Sequence, residues 1–333
     1  MTSAFDDFWA WWRSASGGIA VAIAAGNVGE MVDDIGAHVT AIEPGLAWEL
    51  GPGRRSQHSL TLSPEGRLDL RRLTERWVRS APVPDNTWEY YPARQPSERL
   101  SLRIGGHEIR VDGWRFVTEL DEAYGRVSVA AYHAGLEGLS KNQRLQALFL
   151  SVDQLLGEDG VQTWLDRIDL LDQPPTAAAS PQELRQLVQD RSRSWKEDKW
   201  LIGNGKDALG RPLFLMYNQR LKPLEHLFAE TLIRVDLILR QPNEHGLTVQ
   251  VEADQLNPME EELLRAAPQV ISIGRMTGRG QRNIFFYAVD GRAVLEAFQD
   301  VLKAYPEWRP QMSSQPDPNW EFLHQGMFEP FVS

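Results

Sequence analysis

From Ile233 to Arg240 the chain carries its cleanest period-two run. Ile233, Val235, Leu237 and Leu239 are apolar, while Arg234, Asp236 and Arg240 are charged. Period two places the apolar set on one side of an extended backbone, so this stretch demands a half-buried strand. The following residues narrow the fold. Leu256, Met259, Leu263, Leu264 and Ala267 recur at helical spacing, and Pro268 stops that helix. Val270 to Met276 and Asn283 to Val289 read as a hairpin around Thr277-Gly278-Arg279-Gly280-Gln281-Arg282. Val294, Leu295, Phe298, Val301 and Leu302 mark a second helix, and Trp320 to Leu323 is expected as the closing strand. The order β-α-β-β-α-β is the ferredoxin-like split unit. A strand over Leu213 to Tyr217 opens this part of the chain.

The remaining sequence repeats the mixture of helices and strands. Phe5 to Trp12 and Glu30 to Glu43 are predicted helices, Leu46 to Leu50 and His58 to Ser63 strands. Leu70, Leu73, Trp77 and Val78 mark a helix, and Thr87 to Tyr91 closes that module. Leu100 to Ile104 and His107 to Val111 flank Gly105-Gly106, a tight-turn signal. Strands are expected at Trp114 to Leu120 and around Val127 to Ala131. A helix carries Leu145, Leu148, Phe149, Val152, Leu155 and Leu156, Gly157 caps it, and Val161 to Leu171 is expected to return as a strand. Gln173 to Pro181 reads as a linker, followed by a bridging helix from Gln182 to Ser194. The fold class is therefore α+β: tandem modules with antiparallel sheets, helices on one face, and a ferredoxin-like C-terminal domain. The expected boundaries are 1–95, 96–172, a linker and helix over 173–195, and 196–333.

One phrase occurs twice. Pro84-Asp85 precedes Trp88-Glu89-Tyr90, and Pro316-Asp317 precedes Trp320-Glu321-Phe322. Both copies are read as a turn plus a closing strand, with the aspartate shaping the turn and the tryptophan entering a core.

Chemistry is sparse. The 333 residues contain no Cys, which excludes disulfides and thiol catalysis. The net charge of −11 disfavours phosphate backbones and suits a basic protein partner. No apolar run is long enough for a membrane span, and no basic leader precedes Phe5, so a cytoplasmic protein is expected, with no nucleic-acid or membrane partner. Ala24-Ala25-Gly26-Asn27-Val28-Gly29 followed by Glu43 imitates a dinucleotide fingerprint, but its first glycine is missing. Gly203-Asn204-Gly205-Lys206 lacks the phosphate-loop spacing and is read as a turn. Glu260-Glu261-Glu262 is placed in the N-terminal half of its helix, where it complements the dipole. The seven His show no paired spacing, so no metal or cofactor is expected, and no catalytic residues are assigned. Two groups remain as contact candidates. Arg275, Arg279 and Arg282 surround a glycine-containing turn and suit an anion or an acidic partner. Trp9, Trp11 and Trp12 offer an aromatic anchor for a partner, against packing between modules.

Asp254 to Pro268, the Gly274-Arg275-Met276-Thr277 to Tyr287 hairpin and Asp317-Pro318-Asn319-Trp320-Glu321 resemble the bacterial domain-of-unknown-function 695 family over residues 196–330. Leu62-Ser63-Pro64-Glu65-Gly66, Ala81-Pro82, Trp88-Glu89-Tyr90 and Leu156-Gly157-Glu158 resemble an uncharacterised bacterial domain found ahead of it. The C-terminal family is similar in fold to the regulator of ribonuclease E activity B. The resemblance implies a non-enzymatic protein and carries over no catalytic residue. The reading it favours is a protein-binding regulator or inhibitor. An immunity protein against a basic toxin, and an enzyme or anion binder with a site between modules, stand as alternatives.

Overall fold

The computed structural model describes residues 3–97, 101–122 and 124–327. The chain is α+β and divides into two compact units, residues 1–194 and 195–333.

The first unit starts with α1 (Ala4–Ala25) and α2 (Val32–Ile42). Ser3 caps α1 in a capping box: its Oγ accepts from the Asp6 amide at 3.2 Å, and its own amide donates to Asp6 Oδ2 at 3.1 Å. Gly26, at φ 73°, ends the helix, so the region that imitates a dinucleotide fingerprint is a helical C-cap. Next come β1 (Ala47–Pro52), β2 (His58–Ser63), α3 (Leu68–Arg79) and β3 (Trp88–Tyr91). Central β2 pairs antiparallel with β1 and parallel with β3. Leu60, Leu62 and Trp88 enter a core with Phe8, Trp9, Trp12, Val39 and Trp77. Trp9 stacks on Trp77 at 4.7 Å, a pair that buries large apolar area in one contact.

The same topology recurs. A hairpin of β4 (Ser101–Ile104) and β5 (His107–Arg110) turns on Gly105 and Gly106, both at positive φ. Then β6 (Arg115–Asp121), β7 (Arg126–Tyr132), α4 (Lys141–Leu156), α5 (Glu158–Trp164) and β8 (Leu165–Leu170) follow. Here too an antiparallel pair, β6 and β7, is extended by a parallel strand, β8. The expected strand over Val161 to Leu171 is thus corrected: its first residues continue α5, because the Gly157 turn restarts a helix behind Glu158 and Asp159. The expected linker is also tied down. Ala179 exchanges both backbone hydrogen bonds with Phe116, at 2.7 and 2.9 Å, and α6 (Pro181–Ser194) buries Leu184 and Val188 within this unit.

The second unit contains β9 (Trp200–Lys206), β10 (Pro212–Asn218), β11 (Thr231–Ile238), α7 (Gln250–Ala266), β12 (Ile271–Gly278), β13 (Gln281–Ala288), α8 (Gly291–Leu302) and β14 (Gln311–Pro316). The sheet order is β14-β11-β13-β12-β10-β9, antiparallel throughout. Ile233, Val235 and Leu237 meet Leu256, Met259, Leu263, Val294 and Phe298 on one face. On the other face Tyr287 stacks on Trp320 at 4.1 Å, and Trp320 on His226 at 5.7 Å.

Three expectations change in this unit. Residues 203–206 are not a turn but the end of β9, whose polar and glycine residues occupy an edge strand with one exposed side. The closing strand is Gln311–Pro316, not Trp320 to Leu323. The latter residues lie in a turn and a π-helical segment (Phe322–Gly326) that folds back over the sheet. The two phrases therefore differ. Asp85 Oδ1 accepts from the Thr87 and Trp88 amides and launches β3. Asp317 instead accepts from the Glu321 and Phe322 amides and from the Tyr287 hydroxyl after its strand has ended, with Trp320 at φ 57°. Finally, Glu260-Glu261-Glu262 sits in the C-terminal half of α7, so the helix dipole does not account for it; Glu260 pairs with Arg275 and Arg282, and Glu262 accepts from the Tyr305 hydroxyl.

Candidate functional site: a charged cleft on the polar face of the first sheet

Alternation gives the sheet of β1, β2 and β3 two unlike faces. Trp48, Leu50, Leu60, Leu62, Trp88 and Tyr90 join the aromatic core. Glu49, Ser59, Thr61, Ser63, Glu89 and Tyr91 point the other way. Solvent normally covers such a face, yet Ser59, Thr61, Ser63 and Glu89 are buried. Glu158 of α5 covers Ser63, α4 and the segment 92–97 face Ser59 and Thr61 across a cavity, and the β1–β2 loop closes over Glu89. Ser97 donates its amide to the Gln154 carbonyl at 2.8 Å, and Glu158 donates its amide to the Arg94 carbonyl at 2.9 Å. Gly157 permits this approach. It sits at φ 78°, and a Cβ there would lie 2.7 Å from Pro96 Cδ.

Buried Glu158 fastens the two halves of the unit. Its carboxylate accepts from Ser63 Oγ at 2.9 Å, the Gly66 amide at 2.8 Å and the Arg94 amide at 3.1 Å. Two of the sequence marks, Ser63-Pro64-Glu65-Gly66 and Gly157-Glu158, thus meet in space. Nearby, the buried Arg71 guanidinium pairs with Asp159 at 2.8 Å and Glu75 at 3.0 Å.

A cavity of about 880 Å³ lies on this polar face, and a second of about 640 Å³ lies beside it, among α4, α5, β8 and residues 65–66. Arg94, Leu150 and Asp153 line both. The Arg94 side chain is 17% exposed and carries several partners: it pairs with Glu65, lies 3.5 Å from Asp153 Oδ2 and reaches Glu49 at 3.8 Å. Burial pushes the Asp153 carboxyl up to about 7, and the charge of Glu158 adds to the rise, against the pull of Arg94. Asp153 therefore exchanges its proton near neutral pH inside a cleft, which suits a group that responds to an arriving charge. Tyr91, at the rim, donates its hydroxyl to Glu89 at 2.9 Å. The same carboxylate holds the Arg54 and Arg55 amides and so fixes the β1–β2 loop.

The residues singled out in the sequence fall elsewhere. Arg275 and Arg282 share Glu260, at 2.5 and 2.8 Å, and both also reach Asn257. Arg279 binds Asp207 at 2.7 Å, where Arg211 also docks at 2.8 Å. Burial raises the Asp207 carboxyl, but the Arg211 amide and side chain, the Arg279 side chain and the Leu209 amide outweigh it and hold it down to about 2. The three arginines thus divide between two carboxylates that brace the β12–β13 hairpin. Trp9 and Trp12 are 1% exposed, with indole N–H groups donating to the Trp77 carbonyl at 3.0 Å and the Tyr90 hydroxyl at 3.1 Å. Trp11 is half-buried, stacked on His38 at 3.9 Å and bonded to Asp34 at 3.1 Å. All three pack within the first unit. His133 accepts the Gly135 amide on Nδ1 and contacts the Arg110 carbonyl through Nε2.

Sequence reasoning missed Ser59, Thr61, Ser63, Arg94, Asp153 and Glu158. The available signal was the hydroxyl row opposite Leu60 and Leu62, together with Asp153 as the one ionisable residue in the last two turns of its helix.

Among the described residues, no helix is long and apolar enough to cross a membrane, and no group of three His, Asp or Glu is placed to hold a metal ion. Residues 214–328 match the DUF695 family, a family of unknown function. That region begins within β10 and takes in the strands β11 to β14, the two helices and the Asp317–Trp320 turn. No curated protein and no solved structure matches the chain.

Proposed function

We propose that the first unit binds a small polar molecule in the cleft between its first sheet and α4. The observation that carries this reading is a pair of cavities sharing Arg94 and Asp153, the larger of them set against the buried hydroxyls of Ser59 and Thr61. Concave sites with a few convergent polar groups and a strongly shifted carboxyl are where ligands bind. The reading makes no claim of catalysis, since no nucleophile–base pair converges there. The test is a thermal-shift screen of the full chain against polar metabolites, repeated with Leu150→Trp. Leu150 lines both cavities, so the larger ring blocks them together. Ligands that stabilise the native chain and leave Leu150→Trp unmoved support the reading. Equal shifts in both proteins refute it.

A second reading keeps the regulator or inhibitor role, with the second unit as the binding module. It is favoured by β9, an edge strand on which Trp200 is 40% and Ile202 63% exposed. An extended segment of a basic partner, attracted by the net charge of −11, pairs with such an edge by strand addition. Ile202→Lys then abolishes capture of a stoichiometric partner that the native chain retains. Retention by the variant contradicts this reading.

A further inference from the structure

The two cavities have opposite electrical character. The larger is lined by three guanidinium groups, of Arg54, Arg94 and Arg185, against the carboxyls of Glu49 and Asp153. The smaller is lined by four carboxyls, of Glu65, Asp153, Glu158 and Asp166, against Arg94 and Arg126. Arg94 and Asp153 stand at the boundary, 3.5 Å apart. Arg94 pairs with Glu65 and reaches Glu49, which leaves Arg54 and Arg185 at one end and Glu158 and Asp166, against Arg126, at the other. What remains is a positive end and a negative end joined across Leu150. Resting on the ligand-binding reading above, we infer that the occupant is a zwitterion, with an anionic group in the larger cavity and an ammonium or guanidinium group in the smaller.

The local geometry supports this division. Arg185 holds its guanidinium over the larger cavity by donating to the Leu155 carbonyl at 3.0 Å and the Ser97 carbonyl at 3.3 Å. Arg54 is held by the Pro96 carbonyl at 2.8 Å. Each uses only part of the five-donor inventory of a guanidinium on carbonyls that carry no full charge, so each keeps its positive charge directed at the cleft. In the smaller cavity Glu158 is saturated by Ser63, Gly66 and Arg94 and serves as a fixed background charge. Asp166 is 56% exposed and lies 3.6 Å from Arg126, loose enough to turn toward a cation. A molecule with one charge sign meets its own sign at one end of the cleft; a molecule with both meets attraction at each end. Asp153 follows the occupant. A cation beside it favours the carboxylate, so binding from a neutral solution releases a proton.

Calorimetric titration of the full chain with three chains of similar length tests the assignment: ε-aminocaproate with one charge of each sign, adipate with two carboxylates, cadaverine with two ammonium groups. The zwitterion is expected to bind at least about tenfold more tightly than either of the others. Arg185→Gln should weaken ε-aminocaproate and adipate alike, while Asp166→Asn, at an exposed position that does not threaten folding, should weaken ε-aminocaproate and cadaverine and spare adipate. Adipate or cadaverine binding as tightly as the zwitterion, with loss in Leu150→Trp, overturns the inference and leaves the cleft reading intact. No heat from any probe, with equal screening profiles for the native chain and Leu150→Trp, overturns both.

Discussion

Asp153 is the residue on which the account depends most. Its carboxyl titrates near 7 in the folded chain against an ordinary value of 3.8, because burial and Glu158 together outweigh Arg94. The folded form therefore keeps a proton that the unfolded chain has released. The sign follows: this group stabilises the fold below about pH 4, and the contribution is lost as pH rises to about 7. The whole effect is on the order of 4 kcal/mol, since three pKa units at 1.4 kcal/mol each separate the two states. Asp153→Asn, which resembles the protonated form, should match the native chain at pH 4 and exceed its stability at pH 8 by as much as a few kcal/mol. Denaturant titrations at the two pH values measure this. An equal difference at both would mean that the carboxyl is not held up. Glycine matters at the same scale. Gly157→Ala combines a φ of 78° with the Pro96 clash and is expected to cost about 2 kcal/mol in the same assay.

At the scale of elements, legibility followed burial on one side. The β11 alternation and the α7 face were readable because each buries one apolar face, and the β12–β13 hairpin because β13 is buried on both faces and so shows a continuous apolar run. β9 was not, because an edge strand with two glycines has little hydrophobic period to show. β14 was hidden for the same reason: Gln311–Pro316 is almost all polar, and its place in the sheet comes from backbone pairing with β11. The conspicuous Trp320 drew the strand assignment away from it. The cleft was legible only in part. His58 to Ser63 reads correctly as a strand, but nothing local says that Ser59, Thr61 and Ser63 will be covered by residues about 90 positions later. The pairing of the three arginines was illegible for a related reason: their carboxylates, Asp207 and Glu260, lie on other elements, away from the turn in sequence. Glu260 clamps α7 to the hairpin, and Arg282 beside it is 4% exposed. Glu260→Gln strands that buried charge and should destabilise the second unit by about 3 kcal/mol, seen as an earlier chemical unfolding transition. A change below 0.5 kcal/mol would show that the clamp is ornamental.

Across the whole molecule, the two units are compact in themselves, with separate cores. Residues 195–333 produced alone should give a cooperative melt, since their sheet, both helices and the Trp320 turn are all included; a non-cooperative melt would contradict that. The first unit repeats one topology, an antiparallel pair extended by a parallel strand, and places its cleft where the two copies meet. The DUF695 match covers only the second unit, so the ligand reading concerns a part of the chain for which no family match speaks. Methyl NMR of the full chain during titration with ε-aminocaproate tests it most directly. The account predicts the largest shifts at Leu150 and Leu102, with Val161 following from the smaller cavity. Shifts confined to residues 195–333, or none at saturating ligand, would contradict it.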